Sequence, residues 1–200
     1  MQGTPPLQDA RTEQNRVAAA LDDVAGEVSA EGQKATAAPD AVLLPDGPAL
    51  SSDALQQGLQ RWIADFAGPE QTQADVVGET LGLVLAPDGT GKGRGLQGRL
   101  GGGRYQVAVW PLHANNPGQH VSIRVAPERV DQCGLSFDAS ARSLTAAGYT
   151  GKPMPRSLDP SVSFSKVLDH YKAFVRLDTD RHDAPRCVWQ VSFDLERADG

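Results

Sequence analysis

Long hydrophobic runs are missing: no stretch approaches the ~18 apolar residues that cross a bilayer, and the first residues do not compose a secretory signal. Cysteine is scarce. Cys133 and Cys187 are the only two, far apart, so neither a zinc-ligand pair nor a Cys-x-x-Cys redox motif exists. Both flank strand-like runs, and the pair reads as one structural disulfide of an oxidising compartment. The alternative is two buried thiols in a reducing one. Basic side chains are also few until residue 92, with four Lys and Arg against fourteen Asp and Glu over residues 1–88. Lys92, Arg94, Arg99 and Arg104 then form a short basic cluster, and the remainder is balanced, for a net charge of −6. Non-specific nucleic-acid affinity requires many phosphates to be neutralised at once, so an acidic chain with one basic segment is not a general nucleic-acid binder. Protein or small-molecule partners fit better.

The core is unevenly spread. Most large apolar and aromatic residues fall beyond Leu55, which divides the chain into a tether and helix over 1–33, a linker over 34–50 and a folded domain over 51–200. In the first part Val17, Leu21, Val24 and Val28 recur at helical spacing as a narrow stripe, an amphipathic N-terminal helix. The prolines and small residues of "KATAAPDAVLLPDGPALSS" mark the linker, with Val42, Leu43 and Leu44 able to anchor it on the body.

Within the domain, "SSDALQQGLQRWIADFAGP" places Leu55, Leu59, Trp62, Ile63 and Phe66 on one face of a core helix, with Ser52 as its cap and Gly68-Pro69 as its stop. The period then changes from 3.6 to 2. Strands are predicted over 80–86, 104–112 and 120–126, the last two forming a hairpin across Asn-Asn-Pro-Gly. A short helix is predicted over Ala139–Ala147, ending at Gly148. In "RCVWQVSFDLE" the alternation sends Cys187, Trp189, Val191, Phe193 and Leu195 inward. "SFSKVLDHYKAFVRLDT" is ambiguous and is split into a helix over 161–171 and a strand over 173–179, the strand pairing with 187–195 across "DRHDAP". The predicted class is α+β: an antiparallel sheet with a few helices on one face.

"DGTGKGRGLQGRLGGGRY", residues 88–105, holds eight glycines and formally matches G-x-G-x-x-G. The helix that would aim its N-terminus at phosphates is missing, because a strand follows, and no Walker pattern is present. A hairpin loop between two strands is predicted instead. As a basic, adaptable protrusion it would enter a concave partner, with Lys92, Arg94, Arg99 and Arg104 reaching carboxylates and Tyr105 or Trp110 as the rigid anchor. Catalytic clefts of cell-wall hydrolases carry such carboxylates. "DTDRHD" offers oxygen and nitrogen ligands but lacks the glycine and terminal glutamate of a calcium loop, so a solvated turn is predicted and no metal or cofactor is expected. No nucleophile, base and orienter fall into a recognisable pattern, though such sites assemble in space rather than along the chain.

An amphipathic tether, a Pro/Ala linker, a compact α+β body and one cysteine pair together resemble small bacterial envelope lipoproteins, among them the immunity proteins that protect a cell against toxins delivered by contact-dependent secretion systems. The likeness is compositional and transfers no residue role. It implies a periplasm-facing binding protein that inhibits a secreted effector by occluding its active site. The polar opening "MQGTPPLQDARTEQNR" fits that picture, with Met1 standing where a lipid-bearing cysteine stood and the membrane reached only through that lipid. Two other readings stay open: an envelope scaffold or secretion-system component using the 9–32 helix as a seam, and a hydrolase with a spatially assembled site.

Overall fold

The computed structural model describes residues 44–112, 118–129, 132–154 and 159–198. The N-terminal tether and helix, and the linker up to residue 43, lie outside the described residues.

Helix α1, Ser52–Asp65, starts one residue earlier than the sequence suggested, because the Ser51 hydroxyl accepts from the Ala54 N–H at 3.1 Å and is the cap. Its stripe of Leu55, Leu59, Trp62 and Ile63 is buried as expected. A 3₁₀ turn, Pro69–Thr72, leads into α2, Ala74–Leu81, which ends at Gly82 in the left-handed region (φ 72°). The strand expected over 80–86 is therefore not there. Thr80 and Leu81 complete the helix that Ala74 and Val77 begin. The alternation that suggested a strand is genuine, since Leu83 and Leu85 are buried and Val84 is 86% exposed, but only Ala86–Pro87 pairs, as β1.

All eight remaining strands join the same sheet: β2 (Arg94–Arg99), β3 (Gly103–Pro111), β4 (Gln119–Pro127), β5 (Leu135–Ser136), β6 (Thr150–Pro153), β7 (Ser161–Leu168), β8 (Tyr171–Thr179) and β9 (Cys187–Arg197). The order is β1-β2-β3-β4-β9-β8-β7-β6, with β5 beside β9, and every pairing is antiparallel. With α3, Phe137–Ala146, the molecule is the α+β fold that the sequence predicts. The β3–β4 hairpin and the β8–β9 pairing form as expected.

Residues 161–168 are a strand, not a helix. Val167, one of the supposed apolar stripe, is 69% exposed, and β7 pairs with β8 along its whole length through a two-residue turn at Asp169 and His170. Hydrogen-bonded pairing with a neighbour overrides a chance helical spacing.

Phe193 of β9 anchors the packed face. Its ring centroid lies 4.9 Å from that of Trp62 and 4.3 Å from that of Phe66, both at the C-terminal end of α1. The core continues through Val107, Ile123, Val175 and Leu195 of the sheet to Leu144 of α3.

The segment 44–50, read as linker, belongs to the body. Gln97 N–H donates to Pro45 O at 2.9 Å, Gly47 N–H to Gln97 O at 2.6 Å and Leu50 N–H to Arg99 O at 2.9 Å, so this segment covers the outer edge of β2. Tyr105 completes the seam, its hydroxyl donating to Pro48 O at 2.7 Å. Gly98 is glycine because a Cβ there would sit 2.6 Å from Pro48 O and 2.7 Å from the Tyr105 ring. At the opposite rim lies β6, four residues ending in proline.

Candidate functional site

The glycine-rich stretch is not a protruding loop. Its middle is strand β2, flanked by a tight turn at 88–93 and another at 100–102, where Gly101 takes a φ of 51°. In the first turn the Asp88 carboxylate accepts from the Thr90 hydroxyl at 2.8 Å and the Thr90 N–H at 2.9 Å. The Thr90 hydroxyl, aided by backbone donors of Gly93, Thr90 and Gly91, outweighs desolvation and holds that carboxyl below its ordinary range. The donors that would cradle a phosphate already serve an internal carboxylate.

The opposite face of the sheet carries no helix among the described residues. Alternation along each strand puts polar side chains on it, in rows set by the register. Arg99 lies across from Arg104, and the next row runs Gln97, Gln106, Arg124, Gln190 and Asp178. Between them is a cleft of about 470 Å³ bordered by Asp46, the two arginine rows and Trp189, a volume suited to a small ligand or an inserted peptide segment. Parts of it are preorganised. Arg124 Nε donates to Gln190 Oε1 at 2.8 Å, while the Gln190 amide donates to the Ser192 and Ser122 hydroxyls at 2.9 and 3.3 Å.

Trp189 corrects the strand reading. Asp178 pairs with Gln190 and Thr179 with Val188, leaving Trp189 as the extra residue of a β-bulge. Val188 takes the inward position at 1% exposure, and Trp189 stands 40% exposed at the cleft. Asp180 supports this corner: its Oδ1 accepts from the N–H groups of Arg186 at 2.9 Å and Cys187 at 3.1 Å, its Oδ2 from Arg181 Nε at 2.9 Å. Burial alone would raise the Asp180 pKa, but these donors outweigh it and hold the carboxyl below its ordinary value. A group with a depressed folded-state pKa stabilises above its unfolded pKa and loses that contribution as pH falls through the lower folded value. Asp180→Ala is therefore expected to lose about 1–3 kcal/mol at neutral pH. The difference from wild type should shrink below about pH 4, as urea unfolding monitored by tryptophan fluorescence will show.

The six residues singled out in the sequence separate. Arg99 and Arg104 are exposed at the cleft. Trp110 is 37% exposed on the same open face, against the His120 ring at 4.3 Å. Lys92 is exposed in the 88–93 turn, away from that cleft. Arg94 turns to the packed side, donating from Nε and Nη2 to Leu85 O at 3.0 and 2.6 Å and from Nη1 to Asp75 at 2.6 Å. It clips α2 and the following segment to β2. Tyr105 is 1% exposed and burial raises its pKa; it is a core residue, not an anchor for a partner. Arg124, Gln97, Gln106 and Gln190 were not singled out. The outward positions of the predicted β3–β4 hairpin would have shown Gln106 and Arg124, and the alternation along 187–196 already turns Gln190 outward, whereas no local signal gives Gln97.

No protein family, curated protein or solved structure matches the chain.

On the same open face, two rows from the cleft, His120 Nδ1–H donates to the Asp194 carboxylate at 2.6 Å. Among the described residues no hydroxyl or thiol hydrogen-bonds to the other ring nitrogen, Nε2. The two cysteines are bonded to each other, which belongs to a non-reducing, extracytoplasmic compartment. No helix among the described residues is long and apolar enough to cross a membrane. The "DTDRHD" turn carries Asp180, whose oxygens are already occupied by backbone and Arg181 donors.

Proposed function

We propose that this chain is a periplasm- or envelope-facing binding protein of the immunity type, which inhibits a secreted antibacterial effector, a hydrolase, by covering its active site with the open sheet face. One observation carries the reading. Two of the three tryptophans, Trp110 and Trp189, stand on a polar sheet face, while the third, Trp62, is in the core. Trp189 reaches that position through a bulge that breaks an otherwise regular strand. Tryptophan and arginine dominate the energetics of protein interfaces, particularly around a concave centre, and this cleft borders both. The flat mode of contact replaces the plug expected from a glycine-rich protrusion, because that segment is built into the sheet.

The test is calorimetric titration against candidate secreted hydrolases, with the activity of each measured in parallel. A complex with a Kd of about 1 μM or tighter and loss of effector activity are expected. Trp189→Ala should weaken binding by about 30-fold or more. No complex at that concentration, or full effector activity within the complex, rejects the proposal.

The His120–Asp194 pair favours a second reading, a hydrolase with a spatially assembled site. It requires turnover that His120→Ala abolishes and Trp189→Ala does not.

A further inference from the structure

The charge of the cleft is unbalanced in a specific way. Arg99 and Arg104 are direct cross-strand partners, two guanidinium groups side by side on one face, an arrangement unfavourable in itself. Among the described residues neither side chain has a hydrogen-bond or ion-pair partner. One row further along, Arg124 uses only Nε, on Gln190, which leaves its two terminal nitrogens without a partner among the described residues. Of the two carboxylates bordering the cleft, Asp178 accepts from Arg176 Nε at 2.6 Å. Asp46 alone faces three arginines. The chain as a whole is acidic, at −6, so this local excess of positive charge is a property of the site and not of the surface in general.

The spacing specifies more than sign. Arg124 is the diagonal neighbour of Arg104, one strand over and two residues along, about 7–8 Å away. Alternate side chains of an extended peptide are about 6.5–7 Å apart, and the long guanidinium side chains span the difference. Guanidinium forks hold carboxylates with paired hydrogen bonds. In the amide pair of Gln97 and Gln106, Gln106 Nε2 donates to Gln97 Oε1 at 3.3 Å, which leaves the Gln97 NH2 group and the Gln106 carbonyl for a peptide backbone.

We infer that the cleft binds an extended acidic segment of a protein with carboxylates at alternate positions, Glu-x-Glu or Asp-x-Asp. One carboxylate bridges Arg99 and Arg104, the next sits on Arg124, and Trp189 packs on the aliphatic parts of the segment. A phosphate polymer fits worse, since its affinity depends on neutralising a long run of charges and this cleft is short and set in an acidic chain. The inference rests on the proposed function only for the identity of the partner; the chemistry it assigns stands on the cleft.

The experiment uses the full chain and three probes: a short peptide of alternating Glu and Gly, its Gln-for-Glu counterpart, and inorganic phosphate. Binding is read by calorimetry and by intrinsic tryptophan fluorescence. The Glu peptide is expected to bind at least about 10-fold more tightly than either other probe. Arg104→Glu should abolish that preference and Arg124→Gln should reduce it. Arg104→Glu places opposite charges across from each other, so its melting temperature should hold or rise, and its loss of binding is not a loss of fold. Equal affinity for the Glu and Gln peptides, tighter binding of phosphate, or indifference to Arg104→Glu each overturns the inference. An effector bound and inhibited equally well by Arg104→Glu would overturn it and leave the proposed function standing. Arginine-dependent peptide binding with no effector complex would do the reverse.

Discussion

Phe193→Ala is expected to remove about 3–5 kcal/mol of stability, the usual loss when a large aromatic side chain is deleted from a closed core. Phe193 is 1% exposed and is the sheet residue on which the Trp62 and Phe66 rings converge in edge and tilted contact. Each such aromatic pair contributes about 0.5–1.5 kcal/mol beyond simple burial, and the void between helix and sheet has backbone on both sides that cannot collapse into it. Domains of this size hold only about 5–15 kcal/mol in total, so the variant should sit near its unfolding threshold at 37 °C. Phe174 is the control. It lies on the open face of the adjacent strand, partly exposed, with Lys172 Nζ 4.8 Å from its ring centroid. Phe174→Ala should cost clearly less, about 1 kcal/mol. Urea unfolding of both variants decides the point: similar losses would mean that the helices do not distinguish the two faces.

The second large effect concerns the cysteines. The Cys133–Cys187 bond closes a loop with a sequence separation of 54, and the restriction of the unfolded chain by such a loop is worth about 4 kcal/mol. Replacing both cysteines by alanine should lower stability by that amount. A thiol reductant should bring wild type to the same level and leave the double variant unmoved. A difference below about 1 kcal/mol would mean that the unfolded chain is already confined without the bond. The effect should also reach the cleft, because Cys187 lies two residues before Trp189 and its N–H is held by Asp180. Indole fluorescence should therefore change on reduction before the sheet unfolds.

The sequence revealed the sheet where alternation and turn chemistry agreed. Val107, Val109, Val121 and Ile123 around Asn-Asn-Pro-Gly gave β3 and β4, and Val191, Phe193 and Leu195 gave most of β9. It misled where two periods overlapped. Val167, Leu168 and Tyr171 have helical spacing by accident, and what decides their conformation is the pairing with β8. Leu81, Leu83 and Leu85 alternate, yet the first ends a helix and the other two line the core without a ladder.

The site was less legible still. Four of its named residues, Arg99, Arg104, Tyr105 and Trp110, lie on two paired strands, but the direction in which each points depends on β2 being a strand. The sequence concealed this behind glycines that serve the close approach of 44–50 and of β3. Trp189 was assigned to the core because one inserted residue reverses an alternating pattern, and a bulge becomes visible only when the partner strand is in place.

The two rims of the sheet also constrain any partner. One is occupied by β1 and the 44–50 segment and the other is the four residues of β6, so a visiting chain finds little backbone with which to extend the ladder. Recognition then has to pass through side chains standing on the broad face. Affinity won in that way is vulnerable to single charge reversals and open to rapid divergence, and the scaffold beneath can remain unchanged while its specificity is rewritten.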